Sequence, residues 1–259
     1  MMRERFTGAA YAVATFAVLL AAWEIACDYF KVPVFYIPAP SRIGATLIVG
    51  APLYLDHLGV TLYATLASFA IAMVLGVVLG TLVSEIKFFE RTLQPVLIAL
   101  QAMPRIALAP IIIVWFGFGP ASKIALGAFT AFFPVFVNTA QGMRATDSEQ
   151  IALMRSLKAS RWQIFRMIKL PNAMPYLLAG ASIAIIFAML AVIVGEFLGS
   201  NRGMGYLITT QSTQMDTAGV MATVFILSAI GVVFHYGLQF LRDRLLFWAA
   251  QGEVAGGGV

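Results

Sequence analysis

Charged residues are scarce in this sequence. Only 11% of its 259 residues are Asp, Glu, Lys or Arg, whereas 61% are apolar. A soluble domain is about one-quarter charged, because its surface has to be hydrated. A chain of this length cannot bury so large an apolar excess inside its own core. The composition therefore excludes an ordinary soluble domain and indicates a lipid bilayer as the solvent.

Residues that build reactive or metal-binding sites are also few. Cys27 is the only cysteine, so no internal disulfide can form, and His57 and His235 lack metal-ligand spacing. Paired acids or an activated nucleophile within the apolar segments are missing too, which argues against a membrane-embedded enzyme and leaves no catalytic or metal-binding residue to predict. The net charge of +5 is not arranged as a basic stripe, so we expect no nucleic-acid partner.

The apolar residues are gathered into six stretches long enough to span a bilayer, which takes about 20 residues in a helix. These stretches predict an all-α fold, a polytopic membrane bundle of about six transmembrane helices. Their approximate bounds are 8–27, 61–83, 93–116, 123–140, 175–196 and 221–240. The Gly-rich tail 251–259 is predicted to be disordered.

The positive charges predict the orientation of these spans. If the N-terminus is cytoplasmic, twelve Lys and Arg residues fall on the cytoplasmic side, and four (Lys31, Arg42, Lys123, Arg202) fall outside. Because short cytoplasmic loops carry the excess of Lys and Arg, both termini are predicted to lie in the cytoplasm.

The longest polar stretch, 142–172, predicts two short helices rather than a simple connection. Thr146 with Glu149, or Asp147 with Gln150, has the spacing of a capping box, and Ser160 with Gln163 repeats it. The first helix should run from 148 to 158, and the second from 161 to 169, ending near Pro171. Such helices could contact a partner protein or lie on the lipid surface, and the pattern alone does not choose.

Several segments of the chain resemble, in the same order, segments of a known family. This resemblance favours a partner protein over the lipid surface for the two short helices. The segments include "YIPAPSRI", "PRIALAPIIIVWFGFGPASK", "FFPVFVNTAQGM", "ASRWQIFRMIKLPNAMPYLLAG" and "GEFLGSNRGMGYLI". Together they resemble the permease subunits of ATP-binding-cassette (ABC) importers, in the branch that carries sulfonate, nitrate and taurine. The resemblance implies a small, anionic solute of the sulfonate, taurine, nitrate or vitamin-precursor type. The stretch 142–172 is similar to the coupling loop of that family. The loop pattern departs from the family in two places, since Ala152-Leu153-Met154 lacks the usual acid and Lys158 stands where glycine is usual.

The resemblance implies a single transmembrane permease domain over 1–259, with the fold of type I (MetI-like) importers, in the inner membrane. It also implies a homodimer, a separate ABC ATPase that binds ATP and Mg²⁺, and an external solute-binding protein. The chain has no G-x-x-x-x-G-K-[ST] loop and is expected to bind no cofactor itself. The residues that the resemblance assigns to ATPase coupling are Glu149, Ala152, Leu153, Met154, Leu157, Lys158, Ser160, Phe165, Ile168, Leu170 and Pro171.

Polar residues within the spans are the candidates for a substrate path. Arg105 lies midway along the third span, where a charge is costly unless it faces water, a ligand or a partner. It could attract an anionic solute, or it could be held by a carboxylate or by helix carbonyls. Gln101, Asn138 and Glu196 are further candidates, although pairing with Arg202 is an alternative for Glu196. The runner-up function is a gradient-driven secondary transporter, which would leave the paired cytoplasmic helices unexplained.

Overall fold

The structure, a computed structural model, describes residues 2–246, and all of the regular structure in that range is helical. The all-α prediction is confirmed, while the tail 251–259 lies outside the described residues. The helices are α1 (Met2–Tyr29), α2 (Pro40–Val49), α3 (Ala51–Glu85), α4 (Lys87–Ala102), α5 (Ala109–Phe116), α6 (Pro120–Arg144), α7 (Ser148–Ser156), α8 (Arg161–Ile164), α9 (Leu170–Gly199), α10 (Met204–Thr213) and α11 (Thr217–Leu245).

Four helices in the described range are long and apolar enough to cross a membrane. They are α3, α6, the continuous helix Arg161–Gly199 that contains α8 and α9, and α11. The bent pair α4 and α5 makes a fifth if it is one span, and α1 covers the first predicted stretch. The helices extend beyond the predicted stretches because polar residues continue the helical turns past the apolar part. α3, for example, has 35 residues.

The third predicted span, 93–116, is wrong as a single helix. α4 ends at Ala102, a 3₁₀ turn occupies Arg105–Leu108, and α5 leaves at 91° to α4. Pro104 explains the break, because the residue before a proline is forced out of the helical region. Met103 accordingly has φ −72° and ψ 141°. The bend places Arg105 at a corner between two helices rather than inside one.

The helices α6 and α9 form the centre of the bundle. In an 18-residue apolar stretch of each of these two helices 56% of the residues are buried, compared with 28% for the corresponding stretches of α3 and α11. Small residues let α3 approach α6 closely: a Cβ added at Gly80 would lie 2.9 Å from the Phe136 carbonyl oxygen and 2.9 Å from Thr139 Cβ. Gly76, one turn earlier, faces Val135 in the same way. The G-x-x-x-G spacing therefore marks a real helix contact.

Different ion pairs lie at the two ends of the bundle. At one end, Lys169 Nζ lies 2.6 Å from Glu85 Oε1, and Arg144 pairs with Glu90 at 3.1 Å. At the other end, Arg202 pairs with Asp56. The end marked by Lys169 carries the segment 142–172 together with the α3–α4 turn.

Two short helices were not predicted. α2 follows the apolar turn "IPAP", and α10 lies in a Gly- and Thr-rich stretch. α10 packs through Met204 and Leu207 into an apolar cluster with α3, α9 and α11. The sequence did not predict α10, because Gly203 and Gly205 at its start disfavour a helix unless distant residues such as Glu196 pack against them.

Replacing Gly80 with alanine is expected to destabilise the bundle by about 1–3 kcal/mol, since the added methyl group meets the backbone of α6. The control is Gly59→Ala on the same helix, where nothing lies within 4 Å of the added Cβ. That change should be neutral or slightly stabilising, because alanine favours helix. Midpoints of thermal unfolding in detergent compare the two variants. Equal midpoints would contradict the close α3–α6 contact.

Candidate functional site

The segment 142–172 begins with a capped helix, although its cap differs from one of the two predicted. Asp147 is the N-cap of α7, and its Oδ1 accepts a hydrogen bond from Glu149 N at 2.8 Å. Thr146 does not cap the helix. It is buried, and its hydroxyl instead donates to Met143 O at 3.2 Å. Glu149 lies in the first turn, where a carboxylate suits the helix dipole.

Lys158 adopts the conformation that glycine would supply in the family pattern. Its φ is +56°, and α7 ends at Ser156 rather than at Lys158 as predicted. Lys158 N donates to Arg155 O at 2.9 Å and Ala159 N to Met154 O at 3.0 Å. These two bonds form a Schellman motif, which closes the helix with a left-handed residue. The left-handed turn is therefore formed without glycine, although this backbone conformation is energetically unfavourable for a residue with a Cβ atom such as Lys158.

The second capping box is confirmed in both directions. Gln163 N donates to Ser160 Oγ at 3.2 Å, and Ser160 N donates to Gln163 Oε1 at 2.7 Å. The helix that it starts does not end near Pro171, so that prediction is wrong. A π-helical turn, Phe165–Lys169, joins α8 directly to α9, with Leu170 N donating to Phe165 O. The wide turn gives the ring of Pro171 room where an α-helical carbonyl would collide with it.

An apolar surface is left exposed on this segment. Leu153 and Leu157 are 61% and 69% exposed, and a spacing of four residues puts them on one face of α7. Trp162 on α8 is 65% exposed and stacks on Phe165 with 5.4 Å between ring centroids. We call Leu153, Leu157 and Trp162 the docking face. Trp162 was missed in the sequence, although a tryptophan directly after a helix cap was a visible signal.

The other predicted coupling residues have varied surroundings. Those exposed to solvent are Glu149, Ala152, Lys158 and Ser160, and those half-buried are Met154, Phe165, Ile168, Leu170 and Pro171. Of the half-buried group, Met154 belongs to α7, and the others lie where the segment joins α9. The exposed group surrounds or caps the docking face.

Of the four predicted path residues, the structure brings Gln101 and Arg105 together. They line a groove of about 360 Å³ at the broken span, with Met103, Pro104 and Phe187. Arg105 Nη2 donates to Gln101 O at 3.4 Å, and its guanidinium lies 4.6 Å from the centre of the Phe133 ring. A helix carbonyl and an aromatic face thus hold Arg105. Among the described residues, no carboxylate forms an ion pair with Arg105.

Asn138 and Glu196 lie apart from this groove. Asn138 Nδ2 donates to Pro134 O within its own helix at 2.8 Å. Glu196 is only 1% exposed. Its carboxylate accepts from Thr61 Oγ1 at 2.8 Å and from Gly205 N at 2.7 Å. The alternative pairing of Glu196 with Arg202 is wrong, because Arg202 pairs with Asp56.

The Glu196 contacts extend into a buried polar network that fixes the start of α10. Met204 N donates to Thr61 Oγ1 at 2.8 Å, and Gly203 N donates to His57 Nδ1 at 3.0 Å. Gly203 has φ +116°, and a side chain there would overlap the Glu196 carboxylate. Three helices, α3, α9 and α10, meet at this network, so it is an anchor rather than an open binding site.

With the fold and these sites described, comparison with known proteins identifies the family. Residues 72–246 match the model of the binding-protein-dependent transport system inner membrane component. The chain belongs to this family. Its relatives are permease subunits of ABC importers and not enzymes, so this permease is a membrane subunit of such an importer. A gradient-driven carrier is set aside.

Curated relatives match this permease over nearly their whole length. The formylaminopyrimidine transport permease ThiX of Halalkalibacterium halodurans is 37% identical over 90% of this chain and 93% of its own. The aliphatic sulfonates transport permease SsuC of Bacillus subtilis, whose assignment is marked putative, is 33% identical over 90% and 85%. The taurine permease TauC of Escherichia coli is 26% identical over 93% and 90%.

Solved structures confirm the importer fold. The inward-facing methionine transporter MetNI matches with a TM-score of 0.61 and 25% identity, over 74% of this chain and 94% of that chain. An amino acid ABC transporter solved with histidines matches with a TM-score of 0.66 and 18% identity, over 77% and 97%. The second likeness concerns the fold alone.

Replacing Glu196 with alanine is expected to lower the free energy of unfolding by about 2–4 kcal/mol, because Gly205 N and the Thr61 hydroxyl lose their buried acceptor. Asp56→Ala is the control, since it removes a carboxylate of an exposed ion pair at the same end of the bundle, and its effect should be much smaller. Thermal unfolding of both variants in detergent checks this. If Glu196→Ala unfolds with wild type, the network does not anchor α10.

Proposed function

We propose that this permease imports a small anionic solute across the inner membrane and is driven by a separate ATPase bound at the docking face. The observation that carries the proposal is an exposed apolar face on a pair of tightly capped helices. Leu153, Leu157 and Trp162 are each more than 60% exposed. Exposed large apolar side chains grouped on a fixed frame are typical of a protein contact.

The way the segment joins the bundle supports a mechanical role. α8, the π-helical turn and α9 form one helix of 39 residues, Arg161–Gly199. A force on Trp162 near its start therefore acts on α9 at the centre of the bundle without a flexible joint. The Lys169–Glu85 ion pair links the same helix to the end of α3. ATP and Mg²⁺ would be bound by the ATPase, whose closure would move this lever.

The arrangement of charge supports cytoplasmic termini. The end of the bundle that carries the docking face also carries Lys87, Arg144, Arg155, Arg161 and Lys169. Short cytoplasmic loops are enriched in such residues. The opposite end, with α2 and α10, would then receive solute from an external binding protein.

The surroundings of Arg105 support an anionic solute and a second permease copy. Its groove opens on the surface of one chain, while a charge at membrane depth needs protein or water around it. A homodimer would close the groove, with an Arg105 from each copy facing a common path. Relatives named for sulfonates and taurine agree with an anionic group on the solute, whereas the relative named for formylaminopyrimidine does not, so the proposal of an anion rests on Arg105.

Placing charges on the docking face should release the ATPase. We expect Leu153→Asp combined with Leu157→Asp to lower the amount of co-purified ATPase at least about tenfold, since central apolar contacts dominate interface energies. Ser148→Asp, exposed on the opposite face of the same helix, is the matched control and should retain the ATPase. Affinity purification from the native host in mild detergent, with quantitative mass spectrometry, measures the ratio of the two proteins.

The docking proposal fails if the double variant inserts normally and still retains its ATPase. It also fails if the wild-type chain purifies without any ATPase in several detergents, in which case α7 and α8 would be helices of the lipid surface.

Arg105→Gln should lower uptake of an anionic solute about tenfold, because a charged donor contributes roughly one to three kcal/mol to binding an anion. Arg105→Lys keeps the charge and is expected to retain most of the transport. Uptake is measured in proteoliposomes that contain the complex, at saturating binding protein, with whichever of a sulfonate, taurine or nitrate the wild type carries. Intact uptake by Arg105→Gln would remove Arg105 from the path.

A further inference from the structure

A second groove lies beside the docking face, and nothing in the proposed function uses it. It has a volume of about 750 Å³ and separates the α3–α4 turn from α7 and α8. Four basic residues line it, Lys87, Arg155, Arg161 and Lys169, together with one acid, Glu85. The lining therefore carries a formal charge of 4 − 1 = +3. We call it the basic groove.

Most of this positive charge is unbalanced. The Glu85 carboxylate is engaged by Lys169 at 2.6 Å. Lys87, Arg155 and Arg161 make no ion pair and no side-chain hydrogen bond with any described residue. Like charges around one cavity repel each other unless an anion occupies it, so the groove has an unmet requirement for negative charge.

The basic groove and the docking face lie on opposite sides of α7. Ile151 and Arg155, four residues apart, line the groove, whereas Leu153 and Leu157 face away from it at about half a turn. A partner that covers the two leucines would leave Arg155 directed into the groove.

We propose that the basic groove binds a phosphate-bearing anion. Guanidinium and ammonium groups are the usual partners of phosphate, with arginine able to bind two of its oxygens at once. Ile86, Ile151 and Ile164 add apolar surface beside the cations, which suits a phosphate ester that carries a glycerol or acyl part. Two sources supply this chemistry: the headgroup of an anionic phospholipid in the adjacent leaflet, and free phosphate.

Such a ligand would join two parts that move in the proposed cycle. One wall of the groove belongs to the α3–α4 turn and the other to the helices that carry the docking face. An anion that bridges Lys87 to Arg155 and Arg161 would stiffen this junction, so the anion content of the membrane or cytosol would modulate coupling. The location on the cytoplasmic side rests on the proposed function, whereas the binding itself does not.

The test is a titration of the purified chain in a neutral detergent, without ATP or ATPase. Its failure is thereby distinguished from failure of the docking proposal. Three probes are added separately under calorimetry: dioctanoyl-phosphatidylglycerol, dioctanoyl-phosphatidylcholine and inorganic phosphate. We expect saturable binding of phosphatidylglycerol or inorganic phosphate near one site per chain, and none of phosphatidylcholine. Binding of phosphatidylglycerol assigns the site to a lipid headgroup, and binding of inorganic phosphate assigns it to free phosphate.

Variants locate the site. Arg155→Gln with Arg161→Gln should weaken binding by roughly 25-fold, since each cation near an anionic ligand contributes about fivefold. Arg155→Lys with Arg161→Lys should retain it. The control pair Arg242→Gln and Arg244→Gln removes the same charge at the end of α11 and should bind like the wild type.

A further variant keeps the test valid if the double glutamine chain does not fold. Lys87→Gln, on the opposite wall, should weaken binding about fivefold. The proposal is overturned if neither anion binds saturably to the wild type. It is also overturned if the groove variants bind as tightly as the wild type, or if the control pair loses binding to the same extent.

Discussion

Inside a bilayer almost no water is available to a polar group, so a buried group without a partner in the protein is costly. The Glu196 carboxylate shows how far this constraint organises the fold. It accepts from Thr61 on α3 and from the backbone of Gly205 on α10, and it belongs to α9 itself. The buried Ser68 hydroxyl on α3 likewise has a partner on another helix, since it donates to Ile124 O of α6 at 3.1 Å. The helices are therefore located by polar contacts as well as by apolar packing, which alone cannot distinguish one apolar face from another in lipid.

Close packing gives the bundle its second property, a stiff centre. Where Gly80 and Gly76 meet α6, two backbones approach without intervening side chains, and residues such as Ala131 and Ala184 are fully buried in the same core. α9 shares this centre and continues without interruption into α8. Movement at the docking face therefore reaches the core directly, and the π-helical turn, which could have been a hinge, is instead the means by which a helix with Pro171 in it remains continuous.

The sequence predicted what depends on local residues. Apolar stretches located the spans, and Ser160 with Gln163 located the second coupling helix. It failed where distant contacts or competing local effects decided. Thr146 fits a capping box but is buried, so Asp147 caps α7; Pro171 reads as a helix end but lies in a helix that widens before it. The environment of Glu196 was misjudged because Asp56, far away in the sequence, takes Arg202. The basic groove could not be foreseen, since its two walls meet only in the folded chain.

The single turn at Lys158 determines how these surfaces are arranged. By closing α7 in the left-handed conformation, it turns the chain from α7 into α8, and Arg155 before the turn and Arg161 after it line the same groove. Glycine would adopt this turn more easily, yet the Schellman hydrogen bonds and the capping box at Ser160 constrain it from both sides. The departure at Lys158 therefore leaves the geometry intact and adds a cation to the segment. The departure at Ala152 removes the acid from an exposed position on α7, so in the proposed docking the apolar contacts would be the main source of binding energy on this face.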